Sequence, residues 1–285
     1  MPTTHKSETQ VPTQVPHQAS ADAELKAKHR TMWGLGNYAS VASDVIAETG
    51  QVLVDATGIE PRDRVLDVAA GSGNASFPAA SAGARVVATD LSPVLLDIGR
   101  AQDPDGTITW EEADAEALPY DDASFDAVIS CVGVMFAPHH QQAADELLRV
   151  ARPGARIGLL SWTPEGFIGQ MFATMKPYAP PPPPGAQPPP LWGSEDHVRE
   201  LFGDRVEDVV ATRRRLHVGN FASAGEFREF FKARYGPTIA IYKANAADPD
   251  KCVALDRDLD ALADRYGAAG GSMEWEYLVL TARRR

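Results

Sequence analysis

Between residues 62 and 162 apolar and β-branched residues gather in short runs, each separated from the next by a stretch with helical spacing or a polar turn. The runs are 65–68 (Val-Leu-Asp-Val), 85–90, 107–111, 125–134 and 157–162. Each is too short for a buried helix and bounded by Gly, Pro or acidic residues, so each predicts a strand, the run at 125–134 one covered on both faces. Small residues at 69–73 follow the first run and lead into an alanine-rich helix over 74–82. Ser92 as N-cap and Pro93 at the first helical position open another helix. Pro138 opens a third, in which Ala143, Ala144, Leu147, Leu148 and Ala151 form one stripe before Arg152-Pro153-Gly154 stops it. Strand–helix alternation with right-handed crossovers predicts an α/β fold: a Rossmann-like, doubly wound, mainly parallel sheet.

Outside this block the pattern changes. Residues 1–20 are rich in Thr, Gln and Pro and predict a disordered tail. Residues 21–60 predict a helical N-terminal cap. It comprises a helix over 21–29, a Gly/aromatic stretch at 32–38 and a second helix carrying Val41, Val45, Val52, Leu53 and Ala56. The sheet core is expected over 61–163. Residues 164–204 form a Pro-rich insert whose prolines at 180–184 and 188–190 predict stiff, extended chain, followed by a helix over 195–202. Residues 205–285 predict C-terminal strands over 206–218 and 273–283 that complete the sheet, with helices over 221–234 and 249–266 between them.

With 285 residues, 44% of them apolar, the chain can bury a sizeable core. A formal charge of −12 argues against an extended nucleic-acid groove or an anionic membrane surface as partner. The two cysteines, Cys131 and Cys252, suit neither a zinc site nor a disulfide framework. No apolar run is long enough to cross a bilayer, and the first residues lack the core of a signal peptide. The expectation is a cytoplasmic protein without a metal, with room for a homodimer.

The chemistry-bearing stretch is 64–74, RVLDVAAGSGN. A strand feeding a small-residue loop and a helix N-terminus is how α/β sheets bind nucleoside cofactors. Asp90, nineteen positions past Gly71, closes the second strand and is placed for vicinal ribose hydroxyls. Asp67-x-Ala69-x-Gly71-x-Gly73, Asp90, Asp114-Ala115, Glu116 to Pro119 and Leu147 to Gly154 together resemble the class I S-adenosylmethionine-dependent methyltransferases. The later blocks resemble the small-molecule methyltransferases of ubiquinone and menaquinone synthesis. The resemblance covers 62–162, with Ala69 standing where the family has its first glycine.

That resemblance implies S-adenosylmethionine as cofactor, S-adenosylhomocysteine as product, and an O, N or C nucleophile of a small-molecule acceptor as methyl recipient. It also implies roles. The backbone of Ala69 to Gly73 lies against the methionine part, Asp90 takes the ribose hydroxyls, and Leu91 packs on the adenine. Asp114 and the Ala115 amide meet the adenine edge, and Cys131 lies near the sulfonium.

Each residue also has a plainer reading. Asp67 can hydrogen-bond loop amides, Asp90 can cap a turn, Asp114 can be a solvated loop acid and Cys131 a small buried residue. Trp33 and Tyr38 either pack the cap helices or form a lid facing the sulfonium. His139 and His140 follow the fourth strand and are general-base candidates, or else sit in the first turn of a surface helix. Trp162, Trp192, His197, His217, Phe231 and Tyr235 are candidates for an acceptor pocket, whose aromatic content suits a flat or prenyl-like molecule. Two further readings stand beside this one. The first is an NAD(P)-dependent oxidoreductase, whose third fingerprint glycine would fall at Ser76. The second is a non-catalytic S-adenosylmethionine-binding protein.

Overall fold

The computed structural model describes residues 16–285, built on one seven-stranded sheet. Its strands are β1 (Arg64–Val68), β2 (Arg85–Asp90), β3 (Ile108–Glu112), β4 (Phe125–Cys131), β5 (Ala151–Trp162), β6 (Val206–Val218) and β7 (Met273–Arg284). Their spatial order is β3-β2-β1-β4-β5-β7-β6. β1 to β5 pair in parallel, and β7 runs antiparallel to both β5 and β6. This is the mainly parallel, doubly wound sheet expected from the periodicity.

The first helices are α1 (Pro16–Trp33), α2 (Tyr38–Asp44), α3 (Ala47–Thr57), α4 (Ser76–Ser81), α5 (Pro93–Ala101) and α6 (His140–Val150). They are followed by α7 (Phe167–Met175), α8 (Glu195–Phe202), α9 (Ala224–Arg234), α10 (Gly236–Ala244) and α11 (Pro249–Arg265). α3 and α6 both pack on β4 and β5, and Ala127, Val128 and Ile129 of β4 are completely buried. Burial on both faces is why that strand reads as an unbroken apolar run.

From β1 the chain winds outward to β2 and β3, then returns to β4 on the other side. Connections that diverge this way open a crevice above the carboxyl ends of β1 and β4. A cap covers it: α1 touches α5 and α10, and α2 touches α5 and α9. Phe167, Phe227, Phe231 and Trp275 form a continuous ring cluster that ties α7 and α9 to β7. Burying each such side chain contributes roughly 2 kcal/mol.

The structure departs from the expected elements in several places. Most of the expected disordered tail, residues 1–15, lies outside the described residues, and the chain is helical from Pro16 onward. The second cap helix is divided into α2 and α3. At the break the Ile46 carbonyl accepts from the Thr49 hydroxyl at 2.7 Å and from Asn74 Nδ2 at 3.3 Å, so side chains compete with the helix ladder there. β4 stops at Cys131 because Val132 turns left-handed (φ 63°) into a short 3-10 turn, Val134–Phe136. α6 ends at Val150, just before Arg152-Pro153-Gly154, but β5 begins already at Ala151 rather than Ile157 and takes in that tripeptide, with a register shift in its pairing to β4. The Pro-rich insert contains α7, whose Phe167, Ile168, Met171 and Met175 are buried. The short helix α10 had no counterpart among the expected elements.

Candidate functional site

The crevice holds a cavity of about 820 Å³, counting its open mouth. Trp33, Tyr38, Ala69, Gly71, Asp90, Leu91, Asp114, Ala115 and Cys131 all line it. Three elements far apart in sequence therefore meet at one place: the cap, the loop after β1, and the ends of β2 to β4.

The loop is held tightly. Ala70 N–H donates to the Thr89 carbonyl at 2.8 Å and Gly73 N–H to the Ala70 carbonyl at 2.9 Å. Ala69 has φ 54°, a left-handed backbone that a glycine adopts without strain; an alanine there costs about 1 kcal/mol. Gly73 does not line the cavity. A Cβ at this position would meet the Trp110 ring at 2.6 Å, so Gly73 shapes the loop from beneath. Gly133, after β4, is as crowded: a Cβ would lie 2.0 Å from the Ala69 carbonyl oxygen.

Asp90 accepts from the Gly71 N–H at 2.9 Å and from the Ser92 N–H at 2.8 Å. It thus caps its turn and also stands on the cavity wall, with carboxylate lone pairs to spare. Burial pushes its carboxyl up to about 6, against the pull of the backbone hydrogen bonds from Ser92 and Gly71. Asp67 sits one layer behind the loop, 0% exposed, and does not reach the cavity wall. Its Oδ2 accepts from Ser76 at 2.6 Å, while its buried Oδ1 has no partner among the described residues. Burial pushes this group up to about 7; the Ser76 hydrogen bond opposes the shift and the nearby Asp90 charge adds to it.

Asp114 is not a free loop acid. Its Oδ1 accepts from Lys26 Nζ at 2.9 Å and from the Glu116 N–H at 3.0 Å. Lys26 also pairs with Glu116, and Arg30 pairs with Glu112 and donates to the Leu91 carbonyl at 3.2 Å. These bonds strap α1 across the cavity mouth. Lys26 and Asn74, which both line the cavity, were not singled out from the sequence. No local pattern marks Lys26, because its partner lies 88 positions away.

Cys131 Sγ lies 3.4 Å from Thr49 Oγ1 and 3.7 Å from Asn74 Nδ2. Burial pushes its thiol up to about 12, so it is a neutral wall group and not a nucleophile. Trp33 packs edge-on to Tyr38 and to Phe136, at centroid distances of 5.3 Å and 4.6 Å. Both cap aromatics therefore pack and line the cavity together.

Neither candidate histidine faces the cavity. His139 is held by Glu116, with its N–H at 2.7 Å and its Nδ1 at 2.9 Å from the carboxylate. His140 is completely buried, its Nδ1 2.9 Å from His197 Nε2 and its ring against Trp192. Burial, reinforced by His197, pushes His140 down to about 3, so it stays neutral and structural. Of the acceptor-pocket candidates, Trp162, Phe231 and Tyr235 line a second cavity that shares Tyr38 and Ile46 with the first. Trp192 and His197 pack around His140 instead, and His217 lies exposed, 3.1 Å from Glu274. Ser76 is spent on Asp67, which sets aside the nicotinamide reading that needed a glycine there.

A family profile described as a methyltransferase domain matches residues 66–159. Over nearly its whole length the chain is similar to the uncharacterized protein Rv1405c of Mycobacterium tuberculosis, 50% identical over 269 residues, covering 94% of this chain and 98% of that one. It is 45% identical to the demethylmenaquinone methyltransferase of Renibacterium salmoninarum over 107 residues, 38% of this chain and 44% of that protein. In fold it resembles a phosphoethanolamine N-methyltransferase of Haemonchus contortus solved with S-adenosylhomocysteine, with a TM-score of 0.52 at 14% identity over 82% of this chain and 52% of that one. With the loop and strand-end acids of that domain in place around one cavity, the chain belongs to the S-adenosylmethionine-dependent methyltransferases, in one family with the mycobacterial protein.

Proposed function

We propose that this enzyme methylates a small-molecule acceptor, and that the cavity under α1 is where the methyl donor sits. The observation that carries the assignment is the convergence of Asp90, Asp114 and the loop from Ala69 to Gly71 on one wall, backed by the unpartnered buried Oδ1 of Asp67. These groups suit a cationic nucleoside: acceptors for hydroxyl and amino hydrogens in front, a carboxyl behind. In this assignment Asp90 takes the ribose hydroxyls and Leu91 and Ala115 flank the adenine. Asp114, shared with Lys26, faces the adenine edge. The loop backbone holds the methionine part, and Asp67 acts through the loop by charge. Tyr38 and Trp33 close over the sulfonium side, where aromatic faces favour a cation.

When bound, the sulfonium supplies an already activated methyl group, so the chain's task is to align the acceptor and exclude water. The cap serves both ends.

The test is the pH dependence of S-adenosylmethionine binding. Both buried carboxyls are raised in the ligand-free protein, to about 7 for Asp67 and about 6 for Asp90. A raised carboxyl contributes stability at low pH that is lost as pH rises through its folded value. Ligand-free melting temperature therefore falls between pH 5 and pH 8 on this account. A cationic ligand favours the ionised carboxyls, so affinity moves the opposite way and rises roughly tenfold from pH 5.5 to 7.5. Calorimetric titration across that range checks it, and Asp67→Asn flattens the profile. A flat profile in the unmodified protein, or no binding at any pH, refutes the assignment.

A further inference from the structure

β6 is an edge of the sheet: β7 pairs along one side of it and, among the described residues, no strand pairs along the other. It runs for 13 residues, whereas β3 at the opposite edge has 5. We propose that the outer side of β6 is a homodimer interface. There β6 pairs antiparallel with β6 of a second copy of this chain, about a two-fold axis at Ala211, and the two sheets become one.

An unpaired edge presents a row of backbone N–H and C=O groups to any extended chain, and charges or a bulge on it turn most chains away. β6 carries both, but its charges are sorted. Glu207 and Asp208 stand near its start, and Arg213, Arg214 and Arg215 near its end. A strand of this kind meets opposite charges in its own antiparallel copy and like charges in a parallel one.

The register follows from β7. Glu207 lies opposite Arg283, Ala211 opposite Leu280 and Arg214 opposite Tyr277. Counted along β7, Glu207 and Arg214 are equally far from Ala211 and on one face of the sheet. The bulge at Asp208–Val209 makes this so, because its extra residue brings Glu207 round to the face of Arg214. A two-fold axis at Ala211 therefore sets Glu207 directly opposite the partner's Arg214, and symmetry repeats the pair. Between these pairs Val210, 59% exposed, meets the partner's Thr212. Moving the axis by one residue sets Glu207 against the partner's Leu216 or the partner's Thr212 and leaves the charges unmatched.

The groups this pairing needs are available. Arg214 and Arg215 make no ion pair among the described residues, and Glu207 and Asp208 have only long ones, 3.8 Å to Arg285 and Arg283. Arg213 stays with Glu165 and Glu276 of its own chain. Arg199 donates to the Val209 carbonyl at 3.4 Å, within the bulge. Among the described residues no other side chain bonds the backbone between Glu207 and Val218.

One strand pairing is a small interface of the weak, reversible class, so sedimentation velocity on the full chain from about 1 to 200 µM is the test. The expected result is a dimer that weakens at least threefold between about 0.05 and 0.5 M NaCl, since exposed ion pairs are screened. Arg214→Glu sets like charges opposite each other twice and weakens the dimer at least tenfold. Adding Glu207→Arg to that variant restores affinity to within threefold of the unmodified protein. Ala211→Cys places two thiols at the axis with Cβ atoms about 5 Å apart, and mild oxidation links the chains, which the unmodified protein with Cys131 and Cys252 does not show. All three positions lie outside the buried core, so the variants fold. A monomer at every concentration in low salt leaves the edge to a different partner and overturns the proposal. A dimer that Arg214→Glu leaves unchanged, that the double variant fails to restore, or that Ala211→Cys does not cross-link also overturns it.

Discussion

Replacing Asp90 by alanine lowers the affinity for S-adenosylhomocysteine by roughly 100-fold or more. Two hydrogen bonds from ribose hydroxyls to an ionised carboxylate contribute about 1.5–3 kcal/mol each, and each 1.4 kcal/mol is tenfold in affinity. The substitution also removes the acceptor for the Gly71 and Ser92 N–H groups, so the loop loses its tie to β2 as the ligand loses its partner. Relief of a buried carboxyl offsets part of the cost to stability but none of the cost to binding. Isothermal calorimetry on a variant shown by circular dichroism to be folded makes the comparison. An affinity within threefold of the unmodified protein would remove Asp90 from the site.

Gly133→Ala is the second large effect, and it arises from packing alone. The added Cβ would fall 2.0 Å from the Ala69 carbonyl oxygen and 2.7 Å from the Ala69 Cβ. The nearest atom is backbone, so no rotamer change relieves the overlap, and either the β1 loop or the turn after β4 has to move. Overpacking of this kind costs about 1–3 kcal/mol. Here the displaced segment also lines the cavity proposed for the methyl donor, so S-adenosylhomocysteine affinity is expected to fall at least tenfold alongside the melting temperature. A thermal melt with and without S-adenosylhomocysteine reads both effects at once. A variant that melts normally and keeps its ligand-induced shift would show that the loop does not depend on this contact.

The two variants probe different kinds of information. Asp90 was recognisable from the sequence because its cues are local: an apolar run, an acid at its end, and a fixed distance to Gly71. Asp114, Leu91 and Ala115, also on the cavity wall, were carried over from the family resemblance of the blocks they sit in. Gly133 carries no such cue, since the pressure on it comes from Ala69, which β1 and β4 bring alongside only once they pair. Lys26 was missed for the same reason, and the ion pairs that strap α1 over the mouth exist only in the folded chain.

The histidines mark the opposite error. His139 and His140 follow the fourth strand, where ligands bind in such sheets, yet neither ring turns inward. Side-chain direction at the start of α6 follows from what packs on it. Glu116 draws His139 outward, and Trp192 with His197 buries His140 on the far side. Gly73 in the loop and Asp67 in β1 lie behind the cavity surface: Gly73 is packed beneath it against the Trp110 ring, and Asp67 is fully buried and held by Ser76.

The mainly parallel, doubly wound sheet was readable along the chain, because periodicity and turn residues act within a few positions of one another, and the methyl-donor chemistry followed from the resemblance of its loop and strand-end acids; the strand order was not. Nor was the shape of the second cavity, which shares Tyr38 and Ile46 with the first. That space is bounded by Val132, β5 and β7 below and by α2, α7 and α9 above, and it comes into being only when burial of their apolar faces draws them together.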